Sequence, residues 1–107
     1  MYRIRVIVFA MTLAAGSTAA FAQKGNAEKG KEVFDQCSVC HNADSTEKKI
    51  GPGLKGLFKH DKLVNGKPVN DANVKAKIEE GGNGMPGYKD ILSDQEKADV
   101  VAYLKTL

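Results

Sequence analysis

Three observations predict an all-α fold of three to four helices. Apolar residues recur at helical spacing over Gly30, Val33, Phe34 and Cys37. Near the other end, Ser93-Asp94-Gln95-Glu96 is a capping box, in which the serine hydroxyl takes the amide of Glu96 and that carboxylate returns to the serine amide. Between these two segments no βαβ pattern is visible, and periodicity is lost from Asn42 to Asp71.

The chain opens on a segment that reads as an address. Arg3 and Arg5 make a charged start, Val6 to Ala15 is an uncharged apolar run, and Ala20-Phe21-Ala22 offers a small-x-small cleavage site. Residues 1–22 are thus expected to be a secretory signal, cut before Gln23, with residues 23–107 as the mature domain. A retained membrane anchor is the alternative, since nothing charged interrupts Val6 to Ala22. That stretch is shorter than the roughly 20 apolar residues of a spanning helix and is diluted by Gly16, Ser17 and Thr18. No cysteine precedes Cys37, which excludes an N-terminal lipid on cysteine.

The first helix is expected to start at Asn26, a side chain suited to accept from the orphan amides of the first turn. Its apolar face delivers the last turn to Cys37-Ser38-Val39-Cys40-His41. Two cysteines three residues apart, followed at once by histidine, form the attachment signature of a c-type haem. The two thiols point the same way, so both can add to the vinyl groups along one haem edge, and His41 then reaches the iron. A redox dithiol is expected beside a βαβ pattern, and zinc needs four ligands. The only other imidazole, His60, has no second ligand pair around it. Gly30 sits inside this helix, where glycine costs about 1 kcal/mol relative to alanine. Either it is tolerated or another backbone passes closely.

Removing the signal leaves 14 lysines against 13 acidic residues, a formal +1 where the precursor carries +3. Two ionised haem propionates bring the holoprotein to about −1, so the basic composition is no argument for nucleic acid or an anionic membrane. Tyr2, Phe9 and Phe21 leave with the signal, so Phe34, Phe58, Tyr88 and Tyr103 are the remaining aromatics. A domain of about 85 residues is marginal when its core is built from side chains alone. The haem must be part of that core.

In the middle stretch, Gly51-Pro52-Gly53, Gly56 and Asn65-Gly66 mark turns, and Pro68 argues against a regular strand. Leu54, Leu57, Phe58, Leu63 and Val64 are its expected apolar contributions, with a small hairpin at Val64-Asn65-Gly66-Lys67. A second helix is predicted from about Asp71 to Glu80, with Val74 and Ile78 on one face and a stop at Gly81-Gly82. The last helix follows the capping box, with Ala98, Val101 and Leu104 on one side and Val100, Tyr103 and Leu107 beside them.

Between the second and last helices lies Gly81-Gly82-Asn83-Gly84-Met85-Pro86-Gly87-Tyr88. With Met1 and Met11 in the signal, Met85 is the only methionine of the mature chain. A core-filling methionine is expected on a helix face. This one stands in a glycine-rich loop, ahead of a proline that holds it extended, where the backbone can approach a flat ring. Met85 is therefore the candidate for the second axial ligand.

The order CxxCH, Gly51-Pro52-Gly53-Leu54, Gly84-Met85-Pro86 and Val100-Val101-Ala102-Tyr103-Leu104 resembles a class I cytochrome c, most of all the small monohaem bacterial members. The resemblance implies a cytochrome c fold wrapped around one covalently attached haem, with the N- and C-terminal helices crossing near Gly30 and Phe34 against Val100 and Tyr103. It implies that the carbonyl of Pro52 accepts a hydrogen bond from His41 and that Leu54 packs on the haem face. The chain has no tryptophan, and the helix before the methionine loop lacks the tyrosine that mitochondrial relatives place near the ligand sulfur.

The implied function is periplasmic single-electron transfer through one haem c. With His41 and Met85 filling both axial positions, no site is open to substrate, so the chain is not expected to be an enzyme. The expected partners are a redox-protein donor and acceptor, such as a membrane cytochrome complex, a dehydrogenase or a terminal oxidase, with the chain as a monomer. Rival readings are a haem subunit of a larger dehydrogenase or oxidase, a haem enzyme or sensor should Met85 dissociate, and membrane tethering by an uncleaved N-terminus. His60, between Lys59 and Asp61, and the Lys48-Lys49 pair read as solvated surface, and Tyr88 as loop packing.

Overall fold

The computed structural model describes residues 24–107, so the predicted signal lies outside the described residues. Three α-helices and a short 3₁₀ turn at Leu57–Lys59 make up the fold. Helix α1 spans Ala27–Phe34, α2 spans Asp71–Glu80 and α3 spans Asp94–Leu104. Among the described residues the only β pairing is two isolated antiparallel bridges, Lys62 with Pro68 and Gly82 with Met85.

Each helix begins on a polar cap. The Asn26 side chain accepts from the Lys29 amide, Asn70 from Asn73, and Ser93 from Glu96, whose carboxylate in turn accepts the Ser93 amide. Helix α1 ends earlier than its periodicity predicts, at Phe34 rather than Cys37. At its end the Asp35 amide bonds the Glu32 carbonyl three residues back, and the Ser38 hydroxyl takes the Asp35 carbonyl. These local bonds tighten the chain into successive turns through Cys40.

The core joins Phe34 of α1, Val74 and Ile78 of α2, Leu92, and Val100, Val101 and Leu104 of α3. Helices α1 and α3 cross at Gly30, where a β-carbon would run into the carbonyl of Asp99 and lie 2.8 Å from Cβ of Tyr103. Beside it the rings of Phe34 and Tyr103 stack tilted, 5.3 Å between centroids and 56° between planes. The costly glycine is thus explained by a backbone passing close by. Asp99, itself buried, accepts the Asn26 amide at 2.8 Å and the Gln95 side chain at 2.8 Å, which ties the start of α1 to α3.

From 42 to 70 the chain turns rather than pairs, as its Gly and Pro content predicts. The small hairpin is present: the Leu63 amide bonds the Lys67 carbonyl and the Gly66 amide returns to Leu63. Pro68 lies opposite Lys62, between ladder bonds that flank it, where its missing N–H costs nothing. Leu54, Leu57, Phe58 and Leu63 pack against the core, but Val64 does not. It sits at the hairpin tip, 83% exposed, because the turn directs it away from the domain.

Candidate functional site

The tight turns after α1 gather the CxxCH residues. The Cys37 amide bonds Phe34, and the amides of Cys40 and His41 both return to the Cys37 carbonyl, at 3.1 and 3.0 Å. Both cysteines are free thiols and half-buried. Burial, then the charge of Cys40, pushes the Cys37 thiol above its ordinary value. A redox dithiol needs a thiolate at neutral pH, so this environment does not favour one. Among the described residues, no three His, Cys, Asp or Glu side chains gather as a site for a bare metal ion.

His41 is oriented by its other nitrogen. Its Nδ1 stands 2.7 Å from the carbonyl oxygen of Pro52. A carbonyl can only accept, so Nδ1 carries the proton and Nε2 is left with a lone pair free to bind a metal. Gly51 makes this possible, because a β-carbon there would lie 2.5 Å from Cε1 of His41 and 2.8 Å from Nδ1. The Gly51 amide, bonded to the Cys40 carbonyl at 2.7 Å, holds the two segments together.

Met85 comes from a second turn. Asn83 (φ 53°) and Gly84 (φ 87°) are both left-handed, and Gly82 and Met85 exchange backbone hydrogen bonds of 2.9 and 3.1 Å. Two positive φ angles in an Asn-Gly pair suit a type I′ turn. The loop folds back on α2 through bonds from the Tyr88 amide to Ile78 and the Lys89 amide to Glu79. Tyr88 is partly buried and packs against the core, as expected of a loop packing residue. Burial first, then the charges of Cys37 and Cys40, pushes its phenol above the ordinary tyrosine value.

These residues fit a covalently attached haem. Cys37, Leu54, Leu57, Phe58, Leu63, Val69 and Tyr88 lie against the core yet stay only partly buried, an apolar wall for a flat ring. His60 is exposed at the end of the 3₁₀ turn, away from any ligand cluster among the described residues. The sequence reading missed Lys97 and Asp99, two buried ionisable side chains in α3. A signal existed for the first, since Lys97 falls on the stripe that continues to Val101 and Leu104.

A family model described as cytochrome c matches residues 27–107. The chain is 32% identical over 119 residues to cytochrome c2 of Blastochloris viridis, covering 95% of this chain and 93% of that protein. It is 34% identical over 101 residues to the cytochrome c subunit of the quinone-dependent alcohol dehydrogenase of Gluconobacter oxydans, covering 84% of this chain but 20% of that subunit. Cytochrome c6 of the diatom Phaeodactylum tricornutum superposes with a TM-score of 0.62 at 27% identity, covering 77% of this chain and 93% of the other.

Proposed function

The chain belongs to the cytochrome c family of electron carriers, with haem c as its covalent cofactor, and from that premise we propose that it is a periplasmic single-electron carrier ligated by His41 and Met85. The bound haem supplies an iron that cycles between ferric and ferrous states. Cys37 and Cys40 tether it. His41, its Nδ1 committed to the Pro52 carbonyl, presents Nε2 on one face. The Asn83-Gly84 turn would let Met85 hold the iron, where its thioether would favour the ferrous state and raise the potential. Half-buried apolar side chains limit water around the ferric charge, which acts in the same direction. Residues 1–22 direct export and are removed, and residues 23–107 form the carrier. No helix among the described residues is long and apolar enough to cross a membrane.

The observation that carries this reading is the His41–Pro52 contact, which leaves one ring nitrogen for iron in a turn that also holds both cysteines. The experiment that tests it is Met85→Ala. Covalent haem should remain, carbon monoxide should bind the ferrous variant but not appreciably the wild type, and the weak ferric absorption near the red end should vanish. Unchanged low-spin spectra would remove Met85 from the iron. The likeness to a dehydrogenase cytochrome subunit supports a second reading, a haem subunit of a larger complex. Co-purification of the holoprotein from its native periplasm separates the two.

Docking should use the exposed thioether edge. Val39, 63% exposed, and Ile50, 70% exposed, lie on segments joined by the Gly51–Cys40 bond and by Lys49 Nζ on the Ser38 carbonyl. Two exposed apolar side chains thus stand on joined segments next to Lys48 and Lys49. With net charge near zero, steering is local. Charge reversal of Lys48, Lys49 or Lys89 should slow electron transfer to a purified acceptor at low salt and converge with wild type at high salt, since rim charges act on association and are screened within about 10 Å at 0.1 M. The midpoint potential should not move. Lys49 also loses its bond to Ser38, so Lys48 and Lys89 are the cleaner tests.

A further inference from the structure

We infer that Lys97 is a positioning residue for the iron, holding the loop that presents Met85 against the rest of the domain. The inference rests on the reading of Met85 as an axial ligand. Lys97 belongs to the buried stripe of α3, and its side chain is 5% exposed. A buried ammonium persists only where it is paired and hydrogen-bonded. Its Nζ donates to the Lys89 carbonyl at 2.8 Å and lies 3.6 Å from a Glu79 carboxylate oxygen and 3.8 Å from one of Asp94. One cation thus joins the leg that follows Met85, helix α2 and the start of α3.

The loop's other hydrogen bonds run to α2 or within the loop itself. Tyr88 and Lys89 donate amides to Ile78 and Glu79, and Lys77 Nζ reaches the Gly81 carbonyl at 2.9 Å. Helix α3, by contrast, is locked to α1 at Gly30 and Asp99, and α1 leads directly into Cys37, Cys40 and His41. The frame that fixes one face of the haem is therefore the α1–α3 crossing. Lys97 is the hydrogen-bonding side chain that transmits this frame to the opposite ligand. Without it, the loop and α2 can shift together while the crossing stays intact.

The test uses holoprotein and added imidazole, which reaches ferric iron only when Met85 has left. Its apparent affinity therefore reads the fraction of open loop. Lys97→Met should take up imidazole about tenfold more tightly, with a weakened red-end band and about tenfold faster hydrogen exchange at the Tyr88 and Lys89 amides. Lys97→Arg, whose guanidinium keeps donors within reach of the Lys89 carbonyl, should restore all three. Asp99→Asn serves as the control for general destabilisation: it weakens the tie between α1 and α3 but leaves the Lys97–Lys89 bond in place, and it should raise imidazole affinity less than Lys97→Met does. If Lys97→Met does not accumulate, Lys97→Gln, which keeps a shorter donor, should show the same direction of change. A wild type without the band would overturn the ligand reading and this inference with it. A wild type with the band, and a Lys97→Met protein that binds imidazole no better, would overturn the role of Lys97 alone. Equal gains in Lys97→Met and Asp99→Asn would assign the effect to general destabilisation and also overturn it.

Discussion

Replacing both attachment cysteines, Cys37→Ser with Cys40→Ser, is expected to leave a chain that accumulates little holoprotein and is largely unfolded without haem. The reason is the distribution of burial. Among the described residues, seven apolar side chains form the buried core and only Val100 is exposed by less than 2%, which is thin for a domain this small. Leu54, Leu57, Phe58, Leu63, Val69 and Tyr88 pack on one side against that core and remain part-exposed on the other. A covalent planar group would complete their burial, and a group held by coordination alone can leave. Circular dichroism of the purified variant should show little helix and no cooperative thermal transition. A cooperative helical melt of the haem-free chain would show that the side chains suffice.

Gly30→Val should be the most damaging single substitution away from the site. A β-carbon at this position meets the Asp99 carbonyl and Cβ of Tyr103, both on a helix backbone that cannot give way locally. Relief requires α1 and α3 to separate, which breaks the Phe34–Tyr103 contact and the Asn26–Asp99 bond together. The expected loss is about 3 kcal/mol or more, beyond ordinary overpacking. For a domain of this size that lowers Tm by roughly 10–25 °C. Ala72→Val, on the exposed side of α2, is the control and should cost only a few tenths of a kcal/mol. Equal effects at the two positions would mean that the crossing tolerates a side chain.

Caps and periodicities made the helices legible, because an N-cap or a capping box is a bond between residues three apart and needs nothing distant. Asn26 and Ser93 start α1 and α3 on this principle, and Gly81 at φ 65° stops α2. The attachment turn was legible for the same reason, as its chemistry is written in five consecutive residues. The end of α1 was not. Its apolar spacing continues to Cys37, but the choice between a further helical turn and tight turns depended on the Ser38 side chain competing for the Asp35 carbonyl. Val64 misled because an apolar side chain in a hairpin is equally compatible with a strand and with its tip.

By itself, the sequence determined the helix starts, the covalent cofactor, and His41 and Met85 as the candidate ligands, the one directly after the cysteine pair and the other in a glycine-rich loop, since each is carried by residues adjacent in the chain. The resemblance already implied the helix crossing near Gly30 and the Pro52 contact of His41; only the tertiary structure decided which groups meet there and elsewhere, namely that the Asp99 backbone is what passes against Gly30 and that Lys97 links the methionine loop to α3. These depend on packing partners up to about 70 residues away, and no local pattern records which carbonyl a buried side chain will meet once the helices cross.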